Sequence, residues 1–138
     1  FWGAIVGAPI VWGALVWIFG FSLNTGGFGR SLFQAATIML LFPVLEEIVF
    51  RGLIQGYLLQ KTISYNSYLG ITWSNCLTTF LFCATHFVTR SWLVALLVFI
   101  PSLLLGTLRD KHFSIKVLAG IHVYWNAGIY LLFGFPLG

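Results

Sequence analysis

The stretch that decides the fold is TIMLLFPVLEEIVFRGLIQGYLL, residues 37–59, an apolar run interrupted by three charged residues. The adjacent Glu46 and Glu47 are followed one helical turn later by Arg51. A charged side chain at the centre of a bilayer costs about 2.5 to 3.5 kcal/mol on insertion scales, so such residues mark functional sites by default. The chain has three acidic residues in all, and two of them lie in this stretch. It is therefore the first candidate functional site.

The composition of the whole chain is that of a membrane protein. Of its 138 residues, 59% are hydrophobic and 7% are charged, whereas soluble domains carry about 25% charged residues. This length accommodates about five spans of ~20 residues. We therefore predict an all-α fold, a polytopic transmembrane helical bundle that forms a single membrane-embedded domain over residues 1–138. The net charge of +4 comes from scattered Lys and Arg residues, and without a basic cluster no nucleic acid partner is predicted.

Five apolar segments are predicted as the spans: residues 1–21, 31–59, 68–89, 91–108 and 117–135. Cytoplasmic loops of membrane proteins carry an excess of Lys and Arg. The second and fourth connections hold Lys61, Arg109, Lys111 and Lys116, and the first and third hold Arg30 and Arg90. This charge distribution predicts that the second and fourth connections lie in the cytoplasm.

Spacing within the second predicted span distinguishes the two glutamates. Glu47 and Arg51 are four residues apart, which places them on one helical face at salt-bridge distance. Glu46 is rotated by about 100° from Glu47, so we expect Glu47 to form the ion pair. Gln55 continues this row and is predicted to hydrogen-bond the guanidinium group. Pro43 lacks a backbone donor and is expected to kink the helix or to start it afresh near the glutamates.

Two other spans carry polar residues that complement Glu46. The third span has a stripe at intervals of four, three and four residues: Asn75, Thr79, Phe82 and His86. The fifth span has His122 and Asn126 one turn apart. Ionisable residues within spans face the protein interior, and a carboxylate in a low-dielectric site is a candidate general base. We therefore predict that Glu46, His86, His122 and Asn126 face a common interior.

Other interpretations of these residues stay open. Histidine in a membrane helix often forms hydrogen bonds that bridge two helices. A purely structural network of polar side chains that stabilises the bundle would therefore also satisfy their hydrogen-bonding groups. Glu46, His86 and His122 are also ligand types that zinc hydrolases use, with water in the fourth position. Buried carboxylates would further suit a small transporter or a proton relay.

Three short motifs carry a resemblance to a known family. EEIVFR at residues 46–51 resembles the motif EExxxR, FCATH at 82–86 resembles FxxxH, and HVYWN at 122–126 resembles HxxxN. In this order they are typical of the CPBP family, the CAAX-protease and bacteriocin-processing membrane proteins, also called Abi. The resemblance covers about residues 40–128. PVLEEIVFRGLIQG and VFIPSLLLGTLRDKH are in addition similar to small CPBP proteases paired with JDVT carboxy-terminal sorting signals on exported bacterial proteins.

The resemblance implies a metal-independent glutamic endopeptidase without a cofactor, in a bacterial or archaeal cytoplasmic membrane. By motif position, Glu46 and His86 would activate the attacking water, and His122 with Asn126 would form the oxyanion hole. The second glutamate and the arginine of EEIVFR would support them. The partners would be the lipid bilayer and a membrane-anchored protein or peptide substrate, either a CAAX protein or a sorting tail. A noncatalytic family member, acting in bacteriocin immunity or as a partner-binding scaffold, is the alternative.

This mechanism makes a geometric prediction. For one water to contact both groups, the Glu46 carboxyl and the His86 imidazole must lie within about 4 to 6 Å of each other. Counted along the predicted spans, His86 is about 6 Å from its helix end, whereas Glu46 is more than about 20 Å from Ser31. We therefore expect residues 31–37 to lie outside the bilayer core.

Overall fold

The computed structural model describes residues 2–20, 22–23, 32–61, 67–68 and 70–133, and within them the fold is all-α apart from one short hairpin. The helices outside the motif stretch are α1 (Trp2–Phe19), α5 (Trp73–Thr89), α6 (Trp92–Leu97), α7 (Phe99–Asp110) and α8 (Ile115–Phe133). The hairpin consists of antiparallel strands β1 (Ser67–Tyr68) and β2 (Ile71–Thr72). The predicted all-α class is thus confirmed for the described residues.

The motif stretch is helical from residue 32 to residue 58 but alternates between α and π geometry. Its segments are α2 (Leu32–Ala36), π1 (Thr37–Leu41), α3 (Phe42–Glu46), π2 (Glu47–Gln55) and α4 (Gly56–Leu58). At the end of π1 the Phe42 N–H bonds to the Thr37 carbonyl, five residues back. Pro43 follows directly and has no N–H to donate, and helices accommodate such irregularities with π turns. The helix therefore does not start afresh at Pro43.

The third predicted span is shorter than expected at its start. The helix α5 begins at Trp73 rather than at Tyr68, because Tyr68 belongs to the hairpin. Gly70 in the hairpin turn has a φ of 77°, a conformation that glycine adopts without steric cost. The Thr72 hydroxyl then caps the helix by accepting the Asn75 N–H at 3.1 Å, which satisfies one of the donors that a helix start leaves unpaired.

The fourth predicted span is divided into α6 and α7 by a break at Val98. Pro101 lies in the first turn of α7. Its ring nitrogen cannot donate the hydrogen bond that the Leu97 carbonyl would receive in an unbroken helix. The break at Val98 therefore follows from Pro101, and the sequence analysis did not predict it.

Two stretches in the described part of the chain are long and apolar enough to cross a membrane. They are Trp92–Asp110, which joins α6 and α7, and Ile115–Phe133, which is α8. A shorter apolar helix covers Trp2–Ile18. These stretches agree with an integral membrane protein, and the bundle of five spans stays a prediction.

The described residues cluster into two compact units. One comprises those up to Leu45 and from Ala119 onward, and the other those of Glu46–Leu118. In the first unit the Trp125 indole N–H donates to the Ala4 carbonyl at 2.8 Å, which ties α8 to α1. The second unit contains π2, α5, α6 and α7, and most of the candidate site lies in it.

Candidate functional site

The row predicted from the motif spacing is fully buried, since Glu47, Arg51 and Gln55 each have 0% exposure. All three lie on π2. The Arg51 Nε atom is 3.5 Å from Glu47 Oε2, an i,i+4 salt bridge that confirms the predicted ion pair. π-helical turns are rare and occur frequently at functional sites. Residues 47–51 of the motif EEIVFR therefore lie on an unusual backbone segment, and the two charged residues among them are buried.

Arg51 is also held by two other helices. Its Nη2 donates to the Ser102 carbonyl at 2.9 Å and to the Ser102 hydroxyl at 2.8 Å. That hydroxyl donates in turn to Thr79 Oγ1 at 3.1 Å, and the guanidinium carbon lies 5.0 Å from the centroid of the Phe82 ring. Hydrogen bonds to charged groups contribute about 1.5 to 3 kcal/mol each. The guanidinium group therefore joins π2 to α7 directly and to α5 through both Thr79 and Phe82.

The prediction that Gln55 bonds to this guanidinium group is wrong. Its Nε2 instead donates to the Gly106 carbonyl at 2.9 Å and to Asp110 Oδ1 at 2.8 Å. Guanidinium nitrogens only donate hydrogen bonds, so the predicted bond would need the amide oxygen of Gln55. That oxygen is buried and has no hydrogen-bond partner among the described residues, because the amide is oriented by the two bonds of its nitrogen to α7. The other Asp110 oxygen accepts from the Thr72 hydroxyl at 2.9 Å. Asp110 thus links π2, α7 and the start of α5.

Asn75 fills the contact between α5 and α7. Its Nδ2 donates to the Leu103 carbonyl at 3.0 Å and to Thr107 Oγ1 at 3.2 Å, and its Oδ1 accepts from Thr79 at 3.2 Å. A Cβ at position 106 would overlap the Asn75 side chain, so this approach requires glycine. The connected side chains form what we call the buried polar network: Glu47, Arg51, Gln55, Thr72, Asn75, Thr79, Ser102 and Asp110.

The sequence reading missed the α7 side of this network. Ser102, Gly106 and Asp110 recur at every fourth residue, which is the helical periodicity that would have identified this face. Asp110, the third acidic residue of the chain, lies between Arg109 and Lys111 in the fourth predicted connection, and no role at the site was predicted for it. Its partners come from elements 38 and 55 residues away, so local spacing gave no sign of its role.

Glu46 is the last residue of α3 and is partly buried. Arg51 interacts electrostatically with Glu47 and also with Glu46. The salt bridge belongs to Glu47, as the spacing predicted, whereas the positive charge of Arg51 acts on both carboxylates. Both glutamates therefore interact with the positive charge of Arg51, and the i,i+4 salt bridge is formed by Glu47.

His86 lies on the polar stripe of α5, as predicted, and is partly buried. Its Nδ1 is 3.0 Å from the Phe82 carbonyl oxygen. Because a carbonyl only accepts, this hydrogen bond requires the proton on Nδ1, which leaves Nε2 of a neutral imidazole as an acceptor. The imidazole also packs against the Phe82 ring, with centroids 4.5 Å apart and the ring planes tilted by 39°. The local backbone of α5 thus fixes both the ring and its tautomer.

The contacts between the motif helix and α5 run antiparallel. Gln55 is linked to Thr72 through Asp110, and Arg51 to Thr79 through Ser102. One residue earlier, Phe50 packs edge-on against Phe82, with ring centroids 5.0 Å apart. Residues earlier in the motif helix therefore contact residues later in α5. One turn beyond the contact of Phe50 with Phe82, the same order pairs Glu46 with His86. The separation of about 4 to 6 Å between the Glu46 carboxyl and the His86 imidazole stays a prediction.

His122 and Asn126 lie one turn apart on α8, in the first unit. His122 is buried with 8% exposure, and Asn126 is partly buried. Their predicted role in the oxyanion hole stays a prediction. Across the described residues, no three His, Cys, Asp or Glu side chains are grouped so that they could hold a metal ion. The metal-independent mechanism likewise stays a prediction.

These features define an all-α protein of the membrane whose motif helix carries buried carboxylates beside a histidine-bearing helix. A family model described as Type II CAAX prenyl endopeptidase Rce1-like matches residues 28–128. This range is more than half of the chain and includes all three motifs. The chain belongs to this family, which confirms the resemblance to the CAAX proteases. Membership assigns it to the membrane-embedded proteases, whose substrates are membrane-associated proteins. No curated protein and no solved structure matches the chain.

Proposed function

We propose that the chain is an intramembrane endopeptidase that hydrolyses a peptide bond of a membrane-tethered protein with a water activated by Glu46 and His86. The observation that carries this proposal is the family match over residues 28–128, which includes EEIVFR, FCATH and HVYWN. The packing of Phe50 against Phe82 supports it, because this contact lies one turn from each of the two proposed catalytic residues.

In the proposed reaction the Glu46 carboxylate takes a proton from the water, whose oxygen attacks the scissile carbonyl carbon. His86 orients the same water through Nε2, the nitrogen that its hydrogen bond to Phe82 leaves as acceptor. The tetrahedral intermediate then collapses, the carbon–nitrogen bond breaks, and the proton passes to the leaving nitrogen. No metal takes part in these steps as proposed.

The oxyanion of that intermediate is assigned to donors from His122 and Asn126, by motif position in the family. Removing one such donor from an enzyme costs about 10² to 10³ in rate. Glu47 and Arg51 are assigned a supporting role, which their burial and their contacts to Ser102 favour. By holding π2 against α7, they fix the helix that carries Glu46.

The substrate is proposed to be a protein held in the bilayer next to the scissile bond. A CAAX protein would be presented from the cytoplasm, whereas a JDVT-type sorting tail on an exported protein would be presented from outside. The proposed setting is a bundle of five spans in a bacterial or archaeal cytoplasmic membrane. The two substrate classes differ in the side of approach, so they can be compared directly in one assay.

The test is cleavage in membranes that contain the chain together with either a farnesylated CAAX peptide or a protein ending in a JDVT-type tail. Product formation by the unmodified chain and by the Glu46→Gln variant is measured by mass spectrometry. We expect Glu46→Gln to lower the rate by about 10² to 10⁴, the range for loss of a general base, with unchanged expression. Cleavage by Glu46→Gln at the full rate would contradict the mechanism, and cleavage of neither class by the unmodified chain would favour the scaffold.

A further inference from the structure

An apolar groove lies between α4 and α5, on the side of α5 opposite the buried polar network. It has a volume of about 380 Å³ and is lined by Leu58, Trp73, Ser74, Cys76, Leu77 and Phe80. Cavities of about 300 to 1,000 Å³ are typical of small-ligand sites. Trp73 and Phe80 are 61% and 67% exposed, which is expected of aromatic side chains that contact hydrocarbon. We call this cavity the α4–α5 groove.

The groove adjoins a basic end of its unit. Lys61 is exposed and ends the turn that follows Leu58, and its N–H bonds to the Leu58 carbonyl at 2.9 Å. Its ammonium group lies over the Tyr57 ring, 4.4 Å from the centroid. Among the described residues, Lys61 forms no ion pair with an acidic side chain, so its charge is not neutralised there.

A second lysine lies at the same end. Asp110 bonds to the Thr72 hydroxyl at 2.9 Å, and Thr72 directly precedes Trp73 of the groove. The exposed Lys111 directly follows Asp110. The aromatic rings of Tyr57 and Trp73 are of the kind that anchors proteins at the level of lipid headgroups. This surface thus presents lysines, then aromatic rings, then the apolar groove. The lysines suit a lipid headgroup, the aromatic rings suit the membrane interface, and the groove suits an acyl chain.

We infer that the α4–α5 groove binds one anionic phospholipid, with an acyl chain between Leu58, Leu77 and Phe80 and the phosphate beside Lys61. Charge complementarity favours this occupant, because the predicted cytoplasmic leaflet carries anionic lipids that attract lysines near the membrane surface. A purely apolar helix of a partner protein would fill the groove but leave the Lys61 charge without a counterion. The proposed hydrolysis site contacts the opposite face of α5, so this lipid site is independent of the proposed function.

The test is native mass spectrometry of the chain released from nanodiscs that contain equal amounts of phosphatidylglycerol and phosphatidylcholine. We expect one phosphatidylglycerol to be retained with about fivefold preference, the effect of one lysine near an anionic surface. Lys61→Gln should abolish most of this preference, and Lys116→Gln is the control that removes the same charge from the start of α8. Cys76→Trp should fill the groove and lower retention of both lipids, whereas Val88→Trp, on an exposed position of the same helix, should not.

Three outcomes would overturn the inference. Equal retention of the two lipids by the unmodified chain would reduce the groove to ordinary bilayer contact. Unchanged retention by both Lys61→Gln and Cys76→Trp would place the bound lipid elsewhere. Displacement of phosphatidylglycerol by a farnesylated peptide, with no effect of phosphatidylcholine, would make the groove a substrate subsite. If Cys76→Trp fails to fold, Lys61→Gln alone decides, because an exposed lysine can be replaced without disturbing the core.

Discussion

At the scale of single residues, Arg51 is the centre of the described site. Its salt bridge to Glu47 is local, since the two residues are four apart in the sequence, and spacing alone predicted it. Its hydrogen bonds to Ser102 join residues 51 positions apart, so the local sequence could not predict them. The same difference explains Gln55, whose burial followed from its row but whose partners on α7 did not.

The first prediction at this scale concerns Glu47. Glu47→Ala should lower the free energy of unfolding by about 3 to 5 kcal/mol, because it leaves the buried Arg51 charge without its carboxylate. Unfolding by denaturing detergent in mixed micelles measures the change. Glu46→Gln is the matched control and should fold with a much smaller loss.

A rescue separates charge from packing at this position. Glu47→Ala combined with Arg51→Met should recover much of the lost stability, because well-packed apolar residues often replace a buried ion pair without loss. The double variant would still lack the Ser102 bonds, so we expect partial recovery. Equal loss of stability in Glu46→Gln and Glu47→Ala would contradict the division of roles between the two glutamates.

At the scale of helices and strands, the decisive contact is that of α5 with α7. Asn75 fits against α7 because position 106 has no side chain, and Asp110 closes the contact at the Thr72 end. The polar stripe of α5 was predictable, since its period is that of a helix. The hairpin before Trp73 was not predicted, because it depends on the turn geometry at Gly70. The break at Val98 was not predicted either, because it depends on one missing backbone donor, that of Pro101, in an apolar sequence.

The prediction at this scale is that Gly106→Ala destabilises the fold by about 1 to 3 kcal/mol, the usual cost of inserting a methyl group into a filled contact. Gly120→Ala is the matched control, because a Cβ at that helical position meets nothing within 4 Å. Alanine favours helix there by up to about 1 kcal/mol, so the control should be neutral or stabilising. Thermal unfolding of the two variants measures the difference.

A double variant identifies the contact responsible. Asn75→Ala removes the side chain that a methyl group at position 106 would meet, so Gly106→Ala should cost less in that background. The resulting coupling should be about 0.5 to 3 kcal/mol, as for residues in contact. Strictly additive losses would mean that the close approach of Gly106 to Asn75 does not limit the packing of α5 on α7.

At the scale of the whole molecule, composition predicted a membrane protein and motif order predicted the family, and the match over residues 28–128 confirms the latter. The number of spans and their orientation depend on where each apolar segment enters and leaves the bilayer. The length of the sequence limits the number of spans but does not determine these positions. Trp92–Asp110 shows the difficulty, since a single apolar run contains two helices. The candidate site was predictable on the motif helix and on α5, and its α7 side was not.

The prediction for the whole molecule concerns metal. If carboxylate and imidazole act without an ion, cleavage should survive exhaustive chelation, and the purified protein should contain no stoichiometric zinc. Elemental analysis and activity after dialysis against a chelator measure the two quantities. One zinc per chain, lost together with activity and restored with it on adding zinc back, would replace the glutamate mechanism by zinc catalysis with Glu46, His86 and His122 as ligands.

The 51-residue separation of Arg51 and Ser102 also has a consequence for biosynthesis. Chains are made at about 5 to 20 residues per second, so Arg51 is synthesised about 3 to 10 s before the serine that binds it. During that interval the nascent motif helix carries an arginine whose nearest counterion is Glu47. An ion pair within the membrane is still costly until further hydrogen bonds satisfy it, so we expect the motif helix to stay beside the insertion machinery until α7 has been made.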